Sequence, residues 1–229
     1  MNINDFVQNN AAGKYLGTGA NAPKASRLDS STQAALGKAD KRIQSSVDAT
    51  TAQLSSVGKL KSSVSDVQAA SLNLQRLDKD STALSEKAAV SNFVSAFNAA
   101  IKTAKTTAET PGEGLAAKSS LRAGRELQKA VGSDATTLES LKALGVSQKA
   151  DGSLALDTQK LDAKQKTDAN GVRATLNQLG KSVNATATNT LAASGNVGLS
   201  ISYLNLRADA LKTQQTLVAS AGFNLGGYR

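Results

Sequence analysis

Ser56-Val57-Gly58-Lys59 sets a serine hydroxyl three residues ahead of a lysine, the spacing with which penicillin-binding enzymes activate a nucleophile. The companion Ser-Asp-Asn and Lys-Thr-Gly motifs are absent, and the serine falls inside a long helical pattern, so the spacing is a coincidence. Gly17-Thr18-Gly19-Ala20 begins like a dinucleotide fingerprint but follows no strand and lacks the third glycine. Asp151 and Asp157 are oxygen donors six residues apart, without the alternating donors and closing Glu of a calcium loop. A turn at Asp151-Gly152 and a helix cap at Asp157 account for both. Asn184-Ala185-Thr186 fits a glycosylation acceptor, a frequent accident. The chain has no Cys and no His, which removes thiol nucleophiles, Cys/His zinc sites, imidazole bases and Ser-His-Asp triads. Its 18 acidic residues are scattered along polar faces as solvated charge. The expectation is a protein that is not an enzyme and has no catalytic, metal or cofactor residues.

The elements available to position anything are helical. Of 229 residues 40% are hydrophobic but only 3% aromatic, with Ala prominent, so the large side chains that fill a thick core are scarce. A thin, elongated helical body suits this composition. The net charge of +9 is evenly shared: residues 1–110 carry 13 basic and 9 acidic side chains, residues 111–229 carry 14 and 9. A nucleic-acid stripe is more concentrated and has aromatics beside it, so no specific nucleic acid is expected. No apolar run approaches the length of a membrane span, and none is expected to insert. Asp5 precedes any Lys and no continuous apolar centre follows, so the amino terminus does not read as a cleaved secretory signal.

Residues 1–28 show no sustained periodicity and are expected to be flexible. Asp29-Ser30-Ser31 offers a helix start. From Ile43 the apolar positions Val47, Leu54, Val57, Leu60, Val64, Val67, Leu74 and Leu77 advance mostly by three or four, drawing one seam along a coiled-coil helix over 29–77. Asp78–Thr82 reads as a connection. An inner helical domain over 78–193 follows, beginning with a second seam at Val90, Val94, Phe97, Ile101 and Ala104 that stops before Pro111-Gly112. Leu115, Leu121, Leu127 and Val131 predict one further helix, and Leu138, Leu141 and Leu144 another closing at Gly145. A β-hairpin is expected near 144–156, its loop running from Gln148 to Gly152 with positive φ at Gly152. Val146 then faces Leu154, and Leu144 faces Leu156. Asp157 caps the helix carrying Leu161, and Val172, Leu176, Leu179, Val183 and Leu191 resume helical order. After a break at Ser194-Gly195-Asn196, residues 194–229 hold a last seam of Ile201, Leu204, Ala208, Leu211 and Val218, with Gln215 inside it, and a Gly-rich flexible end.

Three stretches resemble the flagellar filament cap proteins, the hook-associated protein 2 family. Val47–Leu74 is similar to that family's amino-terminal helix. "VSNFVSAFNAAIKT" (90–103) looks like its segment in which a Phe-Val pair is followed by an aromatic residue and Asn. "LESLKALGVSQKADGSLALDTQKLD" (138–162) resembles its order of apolar helix, Gly-Val, Asp-Gly turn, Leu-x-Leu-Asp strand and Leu-containing helix. Together they cover about half the chain in the family's order. The large β-rich domains that cap proteins usually carry between the first two regions are missing, only the connection around Asp78 remaining, and the carboxyl-terminal seam is shorter and less charged.

The resemblance implies a subunit exported through the flagellar type III channel without a cleaved signal. It also implies an extracellular place on the flagellum, a homo-oligomeric ring at the filament tip, and flagellin, hook–filament junction proteins and an export chaperone as partners. The fold expected is mainly α, an elongated helical bundle or coiled coil with a small β-hairpin and flexible termini. The assembly seams are expected at Leu54, Val57, Leu60, Val64, Ile201, Leu204, Leu211 and Val218, incompletely covered until a neighbouring copy packs on them. The alternatives from the same residues are a filament or junction subunit, and a basic coiled-coil adaptor for an acidic partner.

Overall fold

A computed structural model of the chain describes residues 30–112, 114–132 and 135–226. The segment expected to be flexible (1–28), Asp29 of the expected helix start, and the last three residues lie outside them. The fold is mainly α with one small hairpin. Its elements are α1 (Ser30–Gln75), α2 (Ala83–Ala108), α3 (Gly114–Val131), α4 (Ala135–Ala143), β1 (Val146–Gln148), β2 (Leu154–Leu156), α5 (Thr158–Leu191) and α6 (Asn196–Gly226).

The spine is α1. Its 46 residues span about 69 Å at 1.5 Å per residue. Three helices run antiparallel along it. Ser56 meets Thr110 (2.9 Å) and Ser63 meets Thr103 (3.2 Å) on α2. Gln68 donates to Thr188 on α5 (2.8 Å), and Gln75 to the carbonyl of Gly180 (3.0 Å). Farther back along α1, Gln44 accepts from Gln215 of α6 (2.9 Å). Helices α5 and α6 therefore follow one another down the same spine, separated by a tight break at 192–195. Gly180 permits the close approach of α5, since a Cβ there would lie 2.6 Å from the carbonyl oxygen of Ser71.

The 3–4 periodicity of the sequence becomes one continuous core. Val57, Leu60, Val64, Val67 and Leu74 of α1 meet Val90, Phe93, Phe97 and Ile101 of α2 and Val172, Leu176, Leu179 and Val183 of α5. The Phe93 and Phe97 rings lie 5.9 Å apart, tilted by 38°. These two and Leu127 of α3 supply the bulk that an Ala-rich chain otherwise lacks. Residues 57–74 thus share the core of the inner helices. Thr82 caps α2 by accepting from the Ser85 amide (3.1 Å), and Asp157 caps α5 through Gln159 and Lys160 (both 3.1 Å), as the sequence predicts for the latter.

The hairpin forms with a register two residues away from the expected one. Val146 faces Leu156, Ser147 faces Ala155 and Gln148 faces Leu154, while Leu144 sits in the turn after α4. The reason is the loop. The Gly152 amide donates to the Lys149 carbonyl (2.9 Å), and the Lys149 amide donates to the Ser153 carbonyl (2.8 Å). A three-residue loop with Gly152 at φ +82° therefore closes the ladder, one pair nearer the turn. A two-residue shift leaves each side chain on its face, so Val146 and Leu154 are still buried.

Candidate assembly surface

Along α1 the neighbours change. Beyond about Thr50, toward Ser30, α2 and α5 have ended and, among the described residues, α6 alone accompanies the spine. The inner faces of this two-helix stem hold Leu36, Ile43 and Val47 of α1 and Ala208, Gln215 and Val218 of α6, all half-buried, with Leu211 more fully covered. Gln215, the polar residue of the expected seam, spans the stem to Gln44 in an exposed hydrogen bond.

The structure places the eight expected seam residues inside the single chain. Val57, Leu60, Val64 and Leu204 are at most 1% exposed and Leu211 7%, while Leu54, Ile201 and Val218 are half-buried. These seams close on one another within one subunit, because α1 is long enough to take α2, α5 and α6 on its apolar face in turn. They are not the open surface that the sequence suggests. A charge at Leu204 or Leu211 would break the subunit itself. On α6 the open large apolar side chains are Leu199, Leu206 and Leu217, on the opposite side of the helix at 53%, 72% and 50% exposure; Leu84 at the start of α2 and Leu115 and Leu121 of α3 are open as well.

Asp151 and Gly152 build the turn as expected. The Asp151 carboxylate accepts from the Ser153 hydroxyl (2.6 Å) and amide (2.9 Å), and those bonds, the hydroxyl's first, hold its carboxyl below the ordinary 3.8. The hairpin is tied to the body by contacts that sequence reasoning did not foresee. The Asn98 carboxamide donates to the Leu154 carbonyl (2.9 Å) and accepts from the Leu154 amide (2.7 Å), filling on β2 the place of a neighbouring strand. Lys105 donates to the Asp151 carbonyl (2.9 Å), and Lys87 pairs with Asp162 (2.8 Å).

A second unforeseen feature is a joint in α5. Asp168 leaves helical geometry at φ −154°, ψ 63°, and its carboxylate accepts from the Gly171 amide (2.9 Å), capping the second half as a new helix. That amide bond, then Lys164, holds its carboxyl below 3.8. Beside the joint, Glu86 of α2 is 1% exposed, yet its carboxylate takes Arg173 (2.8 Å) and Gln165 (2.9 Å). The first half of α5 can thus hold the hairpin on α2 while the second half lies along α1.

Among the described residues no group of three or more metal-ligating side chains exists. No described helix is long and apolar enough to cross a membrane. The arrangement defines a class, a helical spine with a laterally docked hairpin and a two-helix stem of the terminal helices. Comparisons with family models, curated proteins and solved structures each found no match.

Proposed function

We propose that this chain is a flagellar axial structural protein of the filament cap type, self-assembling at the filament tip and assisting flagellin assembly. The observation that carries the reading is the two-helix stem: the first and last described helices pair with each other and leave Leu206 and Leu217 of α6 exposed. The resemblance over 47–74, 90–103 and 138–162 supports it too, since those segments pack side by side as spine, inner helix and hairpin. The partners are further copies, flagellin, junction proteins and an export chaperone, and the place of action is extracellular.

One observation favours a sister reading, a filament or hook–filament junction subunit. Only residues 76–82 link α1 to α2, so no outer domain projects there. Electron microscopy of the tagged protein on intact cells tests both. Label at filament tips is expected, label at the junction or along the shaft supports the sister reading, and label confined to the cell interior contradicts both. Binding to anionic polymers that falls steeply with salt would instead mark the basic adaptor.

A further inference from the structure

We infer that the outward ridge of α3 is a docking surface for an acidic helix of a different protein. Lys118, Arg122, Arg125 and Lys129 advance by four, three and four residues. At about 100° per residue they fall within a sector of about 60°. That sector lies opposite Ala116, Ala123 and Leu127, which are at most 1% exposed and seat α3 on the body. All four basic residues are exposed and stand on one line about 17 Å long. Leu115 and Leu121, 45% and 41% exposed, flank the line on its two sides.

On α5 the chain balances its cations: Lys160 lies 3.9 Å from Asp157, Lys164 lies 3.3 Å from Asp168, and Asp162 takes Lys87 of α2 at 2.8 Å. The ridge of α3 is different. Its 18 residues hold four basic side chains and one acid, Glu126, a net +3. Glu126 takes Arg122 (3.2 Å) and Asn196 of α6 (2.8 Å), while Lys118, Arg125 and Lys129 have no ion pair among the described residues. Gln128 reaches the Asp151 carbonyl (3.5 Å), which sets the hairpin tip beside α3 and brings Lys105 to the same carbonyl (2.9 Å). The Asp151 carboxylate there is engaged by Ser153.

A helix of carboxylates matches the line by spacing. Acidic residues at steps of four, three and four on a partner helix set one carboxylate opposite each cation, and the two arginines take theirs as bidentate pairs. The flanking leucines receive apolar neighbours of those acids on either side. A second copy does not supply this partner from its described helices, since none of them carries two acidic residues within four positions. A nucleic acid is bound beside stacking aromatics, and the ridge has none. A lipid surface takes a helix by its apolar side, and that side of α3 lies in the core.

The inference goes beyond the proposed function and the two fail separately, since label at filament tips does not depend on what docks on α3. The test is fluorescence anisotropy of the full chain with an Ala-rich helical peptide bearing Glu at steps of four, three and four, beside a scrambled peptide of the same composition. The helical peptide should bind, and more tightly than the scramble. Arg125→Glu/Lys129→Glu should weaken it by about tenfold or more, while Lys38→Glu/Lys41→Glu, the same change of charge at exposed positions of the stem, leaves it unchanged. Circular dichroism should show both double variants folded; if the first is not, Arg125→Gln/Lys129→Gln carries the same test. Equal binding of the two peptides, equal weakening by the two variants, or no binding at all overturns the docking surface. So does a preference for vesicles of anionic lipid or for duplex DNA over the peptide.

Discussion

The body and the stem are written in the same alphabet of Ala, Ser, Thr and Lys with apolar residues three or four apart, yet they bury those residues to different depths. In the body, α1 has α2 on one side and α5 on another, and Val57, Leu60, Val64 and Val67 reach 0–1% exposure. In the stem α1 has α6 alone among the described residues, and Leu36, Ile43 and Val47 stay half-buried. What a heptad-like seam contributes therefore depends on how many helices attend it. The body is a finished core, while the stem leaves its apolar residues half covered among the described residues.

Several measurements would break or sharpen this contrast. The largest effect is expected at the α2–α5 joint: Arg173→Leu leaves the buried Glu86 carboxylate without its cation and should cost about 3–5 kcal/mol by urea unfolding. A loss under 1 kcal/mol would mean that water reaches Glu86. Next, Leu60→Ala in the body should cost about 3 kcal/mol, and Val218→Ala in the stem less than about 1 kcal/mol, because the stem site is already half open. Equal losses would erase the distinction between the regions. Asn98→Ala removes two bonds to the Leu154 backbone and should cost about 2 kcal/mol, with faster amide exchange at 146–156 and unchanged exchange in α1.

The smallest effect is electrostatic. Asp151 and Asp168 have folded carboxyl pKa values lowered from 3.8 by hydrogen bonds made to their charged forms. The stabilisation from each is present above the unfolded value and is lost as pH falls through the folded one, so the turn and the joint should loosen only below about pH 4. Carboxyl titration by NMR checks it; midpoints above 3.8 would contradict the bonds.

Much of the fold was legible because periodicity is a direct record of which face is apolar. It located the spine, the breaks at Pro111-Gly112 and Ser194–Asn196, the Asp157 cap and the positive φ of Gly152. What periodicity cannot record is what covers a face, which is why Leu204 and Leu211 read as assembly positions and are core. The hairpin register escaped because two pairings two residues apart bury the same side chains, and only the loop hydrogen bonds choose between them. Asn98 lies within the 90–103 segment that resembles the cap proteins, but a carboxamide that imitates a strand has no local signature. Asp168 did leave a signal, an Asp three residues before a Gly inside a helical run. The outward stripe of α6 was hidden by the inward one: with apolar residues on opposite sides, the helix has almost no net amphipathicity.

The most direct test of an unfinished stem beside a finished body is amide hydrogen exchange of the full chain over a hundredfold range of protein concentration. Protection in 196–220 should rise with concentration while protection in 57–74 and 90–104 stays constant. Stem amides that exchange at one rate across the whole range, already as slow as those of the body, would contradict the account.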